Sequence, residues 1–217
     1  MGPLNAEVLG ITALSLKVAV VATVAACAIG VPFGFWLGGT RFQGRRGLLV
    51  VLNTALAFPT VVIGLVIYLL LSRHGPLGAL GLLFTWPAIV VAEVLLAVPI
   101  ATALSAAAVQ AVDPRVRRTA LTLGAGPLAT AWAVAREARF ALAAGVVVSF
   151  GRVLSEVGAA MIVGGNLRGQ TRTLTTAVAL ATSQGDFSLA IALGLVLFAL
   201  ALTVNILIQL LQGRAGA

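Results

Sequence analysis

The sequence predicts an all-α fold, a polytopic bundle of transmembrane helices, and three observations carry that prediction. Of 217 residues 60% are hydrophobic and only 9% charged, whereas soluble chains carry roughly a quarter charged residues. Several stretches hold about twenty or more mostly apolar residues, each long enough to cross a ~30 Å hydrocarbon core as a helix. Strand-like alternation is absent, which argues against a transmembrane barrel. The chain reads as one transmembrane domain over residues 1–217, with about five spans.

The first span is expected over about residues 14–37, with an interfacial lead-in from Val8. Gly30, Gly34 and Gly38 recur every fourth residue, which leaves one helix face as nearly bare backbone and lets another helix approach closely. Pro32 lies between two of these glycines and is expected to kink the helix. Arg41, Arg45 and Arg46 follow in a short loop. The second span is expected over about 47–71, where Pro59 near its middle frees a backbone carbonyl that only protein or a wet cavity can accommodate. Trp86 and Pro87 open the third span, over about 87–109, at an interface. Its unusual residues are Glu93 and Pro99.

Residues 113–139 form a charged elbow containing Arg115, Arg117, Arg118, Arg136 and Arg139. Asp113 is suited to cap a helix whose first residue is Pro114. Gly124 and Gly126 interrupt that helix, and Pro127 is placed to open the next. The elbow is longer than a plain connector needs to be; it suits a handle through which a cytoplasmic partner moves the spans. The fourth span is expected over about 140–163 and the fifth over about 187–211, separated by a polar, threonine-rich segment with Arg168 and Arg172.

The net charge of +8 would suggest nucleic acid in a soluble protein, but here it reads as an orientation signal. The loop after span one, the elbow and the tail with Arg214 hold nine arginines, against Arg73, Arg168 and Arg172 on the other side. The positive-inside rule then places the elbow and the C-terminus in the cytoplasm and the N-terminus outside, in a cell or inner membrane. The single Cys27 excludes an internal disulfide and reads as a packing residue. His74, the single histidine, makes neither a metal site nor a catalytic dyad. The N-terminus lacks the charge pattern of a removable signal peptide.

Arg152 and Glu156 are four residues apart, so on a helix they share a face and can pair; Gly145 and Ser149 continue the stripe. Ionisable groups in the hydrocarbon region are costly and face the bundle interior. Two roles stay open for Arg152, Glu156, Ser149 and the adjacent Ser155: lining a solute path, or a structural ion pair that sets helix rotation. Glu93 is either a third member of that group or a snorkelling residue near the outer surface, the second being favoured. No enzyme signature is present: there is no G-x-x-x-x-G-K-[ST] phosphate loop, no metal cluster and no nucleophile beside a histidine. The chain is not read as an enzyme, and no cofactor is expected in it.

Arg118-Thr119-Ala120-Leu121-Thr122-Leu123-Gly124 and Val134-Ala135-Arg136-Glu137 resemble the two ends of the coupling loop of ABC importer permeases, E-A-A-x-x-x-G-x9-I-x-L-P. Ala120 and Gly124 agree; Arg118 replaces the first Glu and Glu137 the final Pro. Further on, Gly151-Arg152-Val153-Leu154-Ser155-Glu156-Val157-Gly158-Ala159-Ala160 is similar to the tungstate-type branch of these permeases, as are Gly164-Gly165-Asn166-Leu167-Arg168-Gly169 and Thr171-Arg172-Thr173-Leu174-Thr175-Thr176-Ala177. Molybdate and sulfate permeases carry Gly-Glu-Phe-Gly where this chain has Ser155-Glu156-Val157-Gly158.

The resemblance implies a MetI-like core and import of an oxyanion, tungstate first, by alternating access. Molybdate or sulfate remains an alternative, as does an ATPase-independent secondary transporter, against which the lack of a visible inverted repeat counts. The implied partners are a second copy of the chain, two cytoplasmic ATPase subunits that hold ATP and Mg, an extracytoplasmic oxyanion-binding protein and the lipid bilayer, with no nucleic acid. It assigns ATPase coupling to Arg115, Arg117, Arg118, Ala120, Gly124 and Pro127. Asn166, Arg168, Thr171 and Arg172 fall at the extracytoplasmic mouth, where basic residues either steer anions and dock the binding protein or form a solvated loop.

Overall fold

A computed structural model describes residues 3–213, all helix and connection, with no strand among them. Arg214, assigned from sequence to a cytoplasmic tail, lies outside the described residues. Three helices are each long and apolar enough to cross a membrane: Glu7–Gly39 within α1 (Pro3–Gly39), α4 (Trp86–Gln110), and Phe187–Ile206 within α9 (Phe187–Gly213). Two bent helix pairs raise the number of spans to as many as five.

The first bent pair alters the expectation for the second span. Instead of one helix over 47–71, the chain forms two helices, α2 (Arg45–Leu56) and α3 (Thr60–Leu71), with a break at Pro59. Pro59, at φ −61° and ψ 121°, stands before α3 in extended geometry. Proline cannot donate to the preceding turn and its ring clashes with it, so the chain turns rather than kinks. The second pair is α6 (Pro127–Leu154) and α7 (Gly158–Gly164), separated by a break at residues 155–157. Helix α6 is unbroken for 28 residues, so the polar stretch Arg136–Arg139 and the apolar run after Phe140 belong to one rod. Nothing in that stretch breaks a helix: Ala, Arg and Glu are strong helix formers.

By its internal contacts the chain forms two compact units. The first takes the residues up to Ala25, Phe58–Ala97 and those from Phe150 onward; the second takes Ala26–Ala57 and Val98–Ser149. In the first unit Ile67, Leu71, Ile89, Ala92, Ala159 and Val163 form an apolar core. Its α3 and α7 come so close that a Cβ on Gly64 would stand 2.8 Å from the Ala159 Cα. The polar, threonine-rich segment between the fourth and fifth expected spans contains a ten-residue helix, α8 (Leu174–Ser183). A capping box makes it: the Thr173 hydroxyl accepts from the Thr176 amide, and the Thr173 amide donates to the Thr176 hydroxyl. Leu174 and Ala177 then pack with Ile11 and Leu193 in a second apolar cluster.

In the second unit the glycine stripe of α1 meets α4. A Cβ on Gly30 would lie 2.7 Å from that of Ala101, and one on Gly38 2.7 Å from the Ala106 carbonyl oxygen. The elbow begins with α5 (Pro114–Thr122), capped as its sequence suggests: the Asp113 carboxylate accepts from the Arg115 amide at 2.8 Å, with Pro114 at the first position. Asp113→Ala is expected to cost about 1 kcal/mol of local stability. Amide exchange should speed up in the first turn of α5 and stay unchanged in α4 and α6.

Candidate functional site

The expected Arg152–Glu156 pair forms, but not by helix geometry. Helix α6 ends at Leu154, and Glu156 lies in the break before α7. From there Arg152 Nη1 donates to Glu156 Oε2 at 2.7 Å, while Glu156 Oε1 accepts from the Ala159 amide at 3.1 Å in the first turn of α7. The Glu156 side chain is 3% exposed and that of Arg152 37%. One carboxylate therefore balances a guanidinium and satisfies an otherwise orphan helix amide. Thr175 holds the same break from α8, its hydroxyl donating to the Glu156 carbonyl at 2.7 Å.

Glu93 is not a snorkelling residue. It is 2% exposed and lines a cavity of about 10 Å³ together with Ser15, Val153, Glu156, Thr173 and Thr175. Its position on α4 puts it against α1, α7 and the α8 cap, on the side of the helix that forms the unit's core. Periodicity alone could not place it, since α4 is apolar around its whole circumference and has no polar face to reveal its rotation. Ser149 and Ser155 are less distinctive: their hydroxyls donate to the Gly145 and Arg152 carbonyls at 2.9 and 3.0 Å, and Ser155 is exposed.

Elsewhere in the first unit the two arginines of the 166–172 segment share a partner absent from the sequence reading. Arg168 forms a two-pronged pair with Glu7, and Arg172 Nη1 lies 3.4 Å from the same carboxylate. Donating to the Glu7 carboxylate raises the hold of Arg168 on its proton. Thr171 is buried, donating to the Gly164 carbonyl and accepting from the Leu167 amide. Asn166 takes a left-handed turn at φ 50° and donates to the Thr176 carbonyl at 3.4 Å. Of the four residues assigned to a mouth, Thr171 and Asn166 thus shape the loop, and Arg168 and Arg172 carry the charge, offset in part by Glu7. The missed signal was Glu7, a lone acid just ahead of the N-terminal lead-in, 161 residues from Arg168.

The elbow in the second unit presents apolar groups that a reading centred on arginine passed over. Leu123, Leu128 and Trp132 are 81%, 85% and 72% exposed. Arg118 and Gly124 are exposed beside them, and Pro127 opens α6. Ala120 is half-buried. Arg117 reaches back to donate to the Gly39 carbonyl at 2.8 Å, fastening α5 to the end of α1, and Arg115 stays near its cap, 3.6 Å from the Asp113 carboxylate. Gly124 sits at φ +78°, where a side chain is strained, and a Cβ there would meet nothing within 4 Å. Leu123 closes α5, and Leu128 and Trp132 lie in the first turns of α6, so the elbow presents an exposed apolar group that includes an aromatic residue of the kind that anchors interfaces.

The chain is similar to known transport proteins along nearly its whole length. It is 40% identical over 206 residues to the tungstate uptake system permease protein TupB of Peptoclostridium acidaminophilum, covering 95% of this chain and 90% of that one. The protein of the same name from Campylobacter jejuni is 40% identical over 145 residues, 67% of this chain and 61% of that one. A chain of the inward-facing MetNI methionine ABC transporter superposes with a TM-score of 0.80 at 16% identity over 97% of both chains, a likeness of fold. The family of binding-protein-dependent transport system inner membrane components matches residues 30–216. With its apolar spans, its bent helix pairs and its exposed elbow, this multi-pass membrane protein belongs to that family of permeases.

Proposed function

We propose that the chain is the permease subunit of an ATP-driven importer of tungstate, a single domain of five spans with its elbow, residues 113–139, and its C-terminus in the cytoplasm. Two copies of the chain would line the path, two ATPase subunits holding ATP and Mg would grip the elbows, and an extracytoplasmic binding protein would deliver the oxyanion. The observation that carries the coupling role is the exposed Leu123, Leu128 and Trp132 flanking Gly124. The substrate rests on the 40% identity to tungstate permeases. Arg118, Ala120, Gly124 and Pro127 belong to the gripping surface, and Arg115 and Arg117 hold it in shape. Closure of the ATPases on ATP draws the elbows together and biases the spans toward an outward-open state. Arg152, Ser155, Glu156, Ser149 and Glu93 are assigned to the path, and Asn166, Arg168, Thr171 and Arg172 to its outer mouth.

Reconstituted with its ATPase and binding protein, the chain should take up tungstate only with ATP, and molybdate and sulfate more slowly. Uptake that persists without the ATPase would overturn the coupling role; a preference for molybdate would reassign the substrate. Gly124→Ala adds only the strain of a left-handed side chain, roughly 1–2 kcal/mol. Gly124→Glu adds bulk and charge where this chain offers no obstacle. Any further loss of ATPase association or coupling in Gly124→Glu therefore arises at the partner. A complex that persists with full coupling in that variant removes Gly124 from the gripping surface.

A further inference from the structure

The Glu93 cavity holds a charge imbalance that the path assignment does not use. Glu93 Oε2 is buried and has no hydrogen-bond partner. Among the described residues, the cations on the elements packed around it are engaged elsewhere. Arg152 on α6 is committed to Glu156 at 2.7 Å. Lys17 on α1 lies over the Trp86 ring, 3.8 Å from its centroid, two helical turns or about 10 Å along α4 from Glu93. Helices α7 and α8 contribute no charge here, only Ala160, Thr173 and Thr175. The nearby hydroxyls are also engaged: Ser15 donates to the Ile11 carbonyl and Thr175 to the Glu156 carbonyl. Two carboxylates thus face one guanidinium, and the carboxylate left over is the more deeply buried. An isolated carboxylate removed from water without a partner is prohibitively costly.

We propose that this cavity is a binding site for one small monocation, held on Glu93 with Glu156 as its neighbour. About 10 Å³ accommodates a single water-sized particle. That size excludes a hydrated ion and an oxyanion, and admits either a proton bonded to Glu93 Oε2 or a bare sodium ion. Either restores the balance of two negative and two positive charges. The site does not depend on which oxyanion is carried.

The test uses the full chain in lipid nanodiscs with its co-purifying subunits. Infrared spectra at neutral pH report a protonated carboxyl group, and melting in sodium against N-methylglucamine reports a bound sodium ion. A proton predicts a protonated-carboxyl band that persists in Glu156→Gln, disappears in Glu93→Gln and ignores sodium. A sodium ion predicts a melting temperature that rises with sodium in the wild type and not in Glu93→Gln, with no such band. If Glu93→Gln does not accumulate, the wild-type spectrum and sodium series decide alone. An ionised Glu93 with melting indifferent to sodium overturns the proposal.

Discussion

Arg152→Ala is expected to destabilise the first unit by about 3 kcal/mol, the lower end of what breaking a buried ion pair costs. The lower end applies because Arg152 is partly exposed, whereas the carboxylate left behind is almost wholly buried. Glu156 cannot escape to solvent, since its other oxygen is tied to the Ala159 amide and its backbone carbonyl to Thr175. Losing Arg152 should therefore loosen the break between α6 and α7. The reciprocal change is milder: Glu156→Gln keeps an acceptor for the Ala159 amide and leaves behind a guanidinium that is only partly buried. Melting and accumulation of the two variants should differ in that order. If Glu156 serves the path, Glu156→Gln should lower ATP-dependent uptake about tenfold or more, equivalent to ~1.4 kcal/mol of barrier, at unchanged protein level. Unchanged uptake at unchanged protein level confines the pair to a structural role.

Gly34→Leu is expected to be the most damaging substitution in the glycine stripe of α1. The Cβ it introduces would run into the Thr102 carbonyl group and the Ser105 side chain of α4. These are backbone and short, stiff neighbours that have no rotamer to retreat into. Overpacking a well-filled core costs about 1–3 kcal/mol, and here the obstacle is a second helix backbone, so the cost should reach or pass the top of that range. In lipid, association of helices rests on close packing and has no hydrophobic drive to replace it. Gly47→Ala is the matched control: on α2 a Cβ meets nothing within 4 Å, and alanine favours helix by about 1 kcal/mol over glycine. Thermal denaturation in detergent should show Gly34→Leu strongly destabilised or not recovered, and Gly47→Ala equal to or above wild type. Equal stability of the two would mean that α1 and α4 do not approach as closely as described.

Where local chemistry decides, the sequence could be read directly. Asp113 and Pro114 open α5 because a cap needs only a neighbouring amide, and the glycines at 30, 34 and 38 mark a close approach because their spacing repeats with the helix. Length and apolarity likewise identify the runs that can cross a bilayer, as no other solvent suits them. The proposed docking surface was legible only in half: the arginines stand out in a chain with few charges, but leucines and a tryptophan in an apolar sequence carry no sign of exposure.

Tertiary structure alone decided the rest. Glu7 reaches Arg168 across 161 residues of chain, a contact without a local signature. Glu93 turns inward because α4, apolar on all sides, takes its rotation from the helices packed on it. The helices break at Pro59 and again before Gly158, and α3 and α7 beyond those breaks pack on each other within the first unit. Composition and periodicity thus determined that this is a bundle of membrane helices with a charged elbow, because transfer from water and helix capping are properties of short segments. Which buried charges meet, and which one is left over, depends on surfaces distant in sequence coming together at close range.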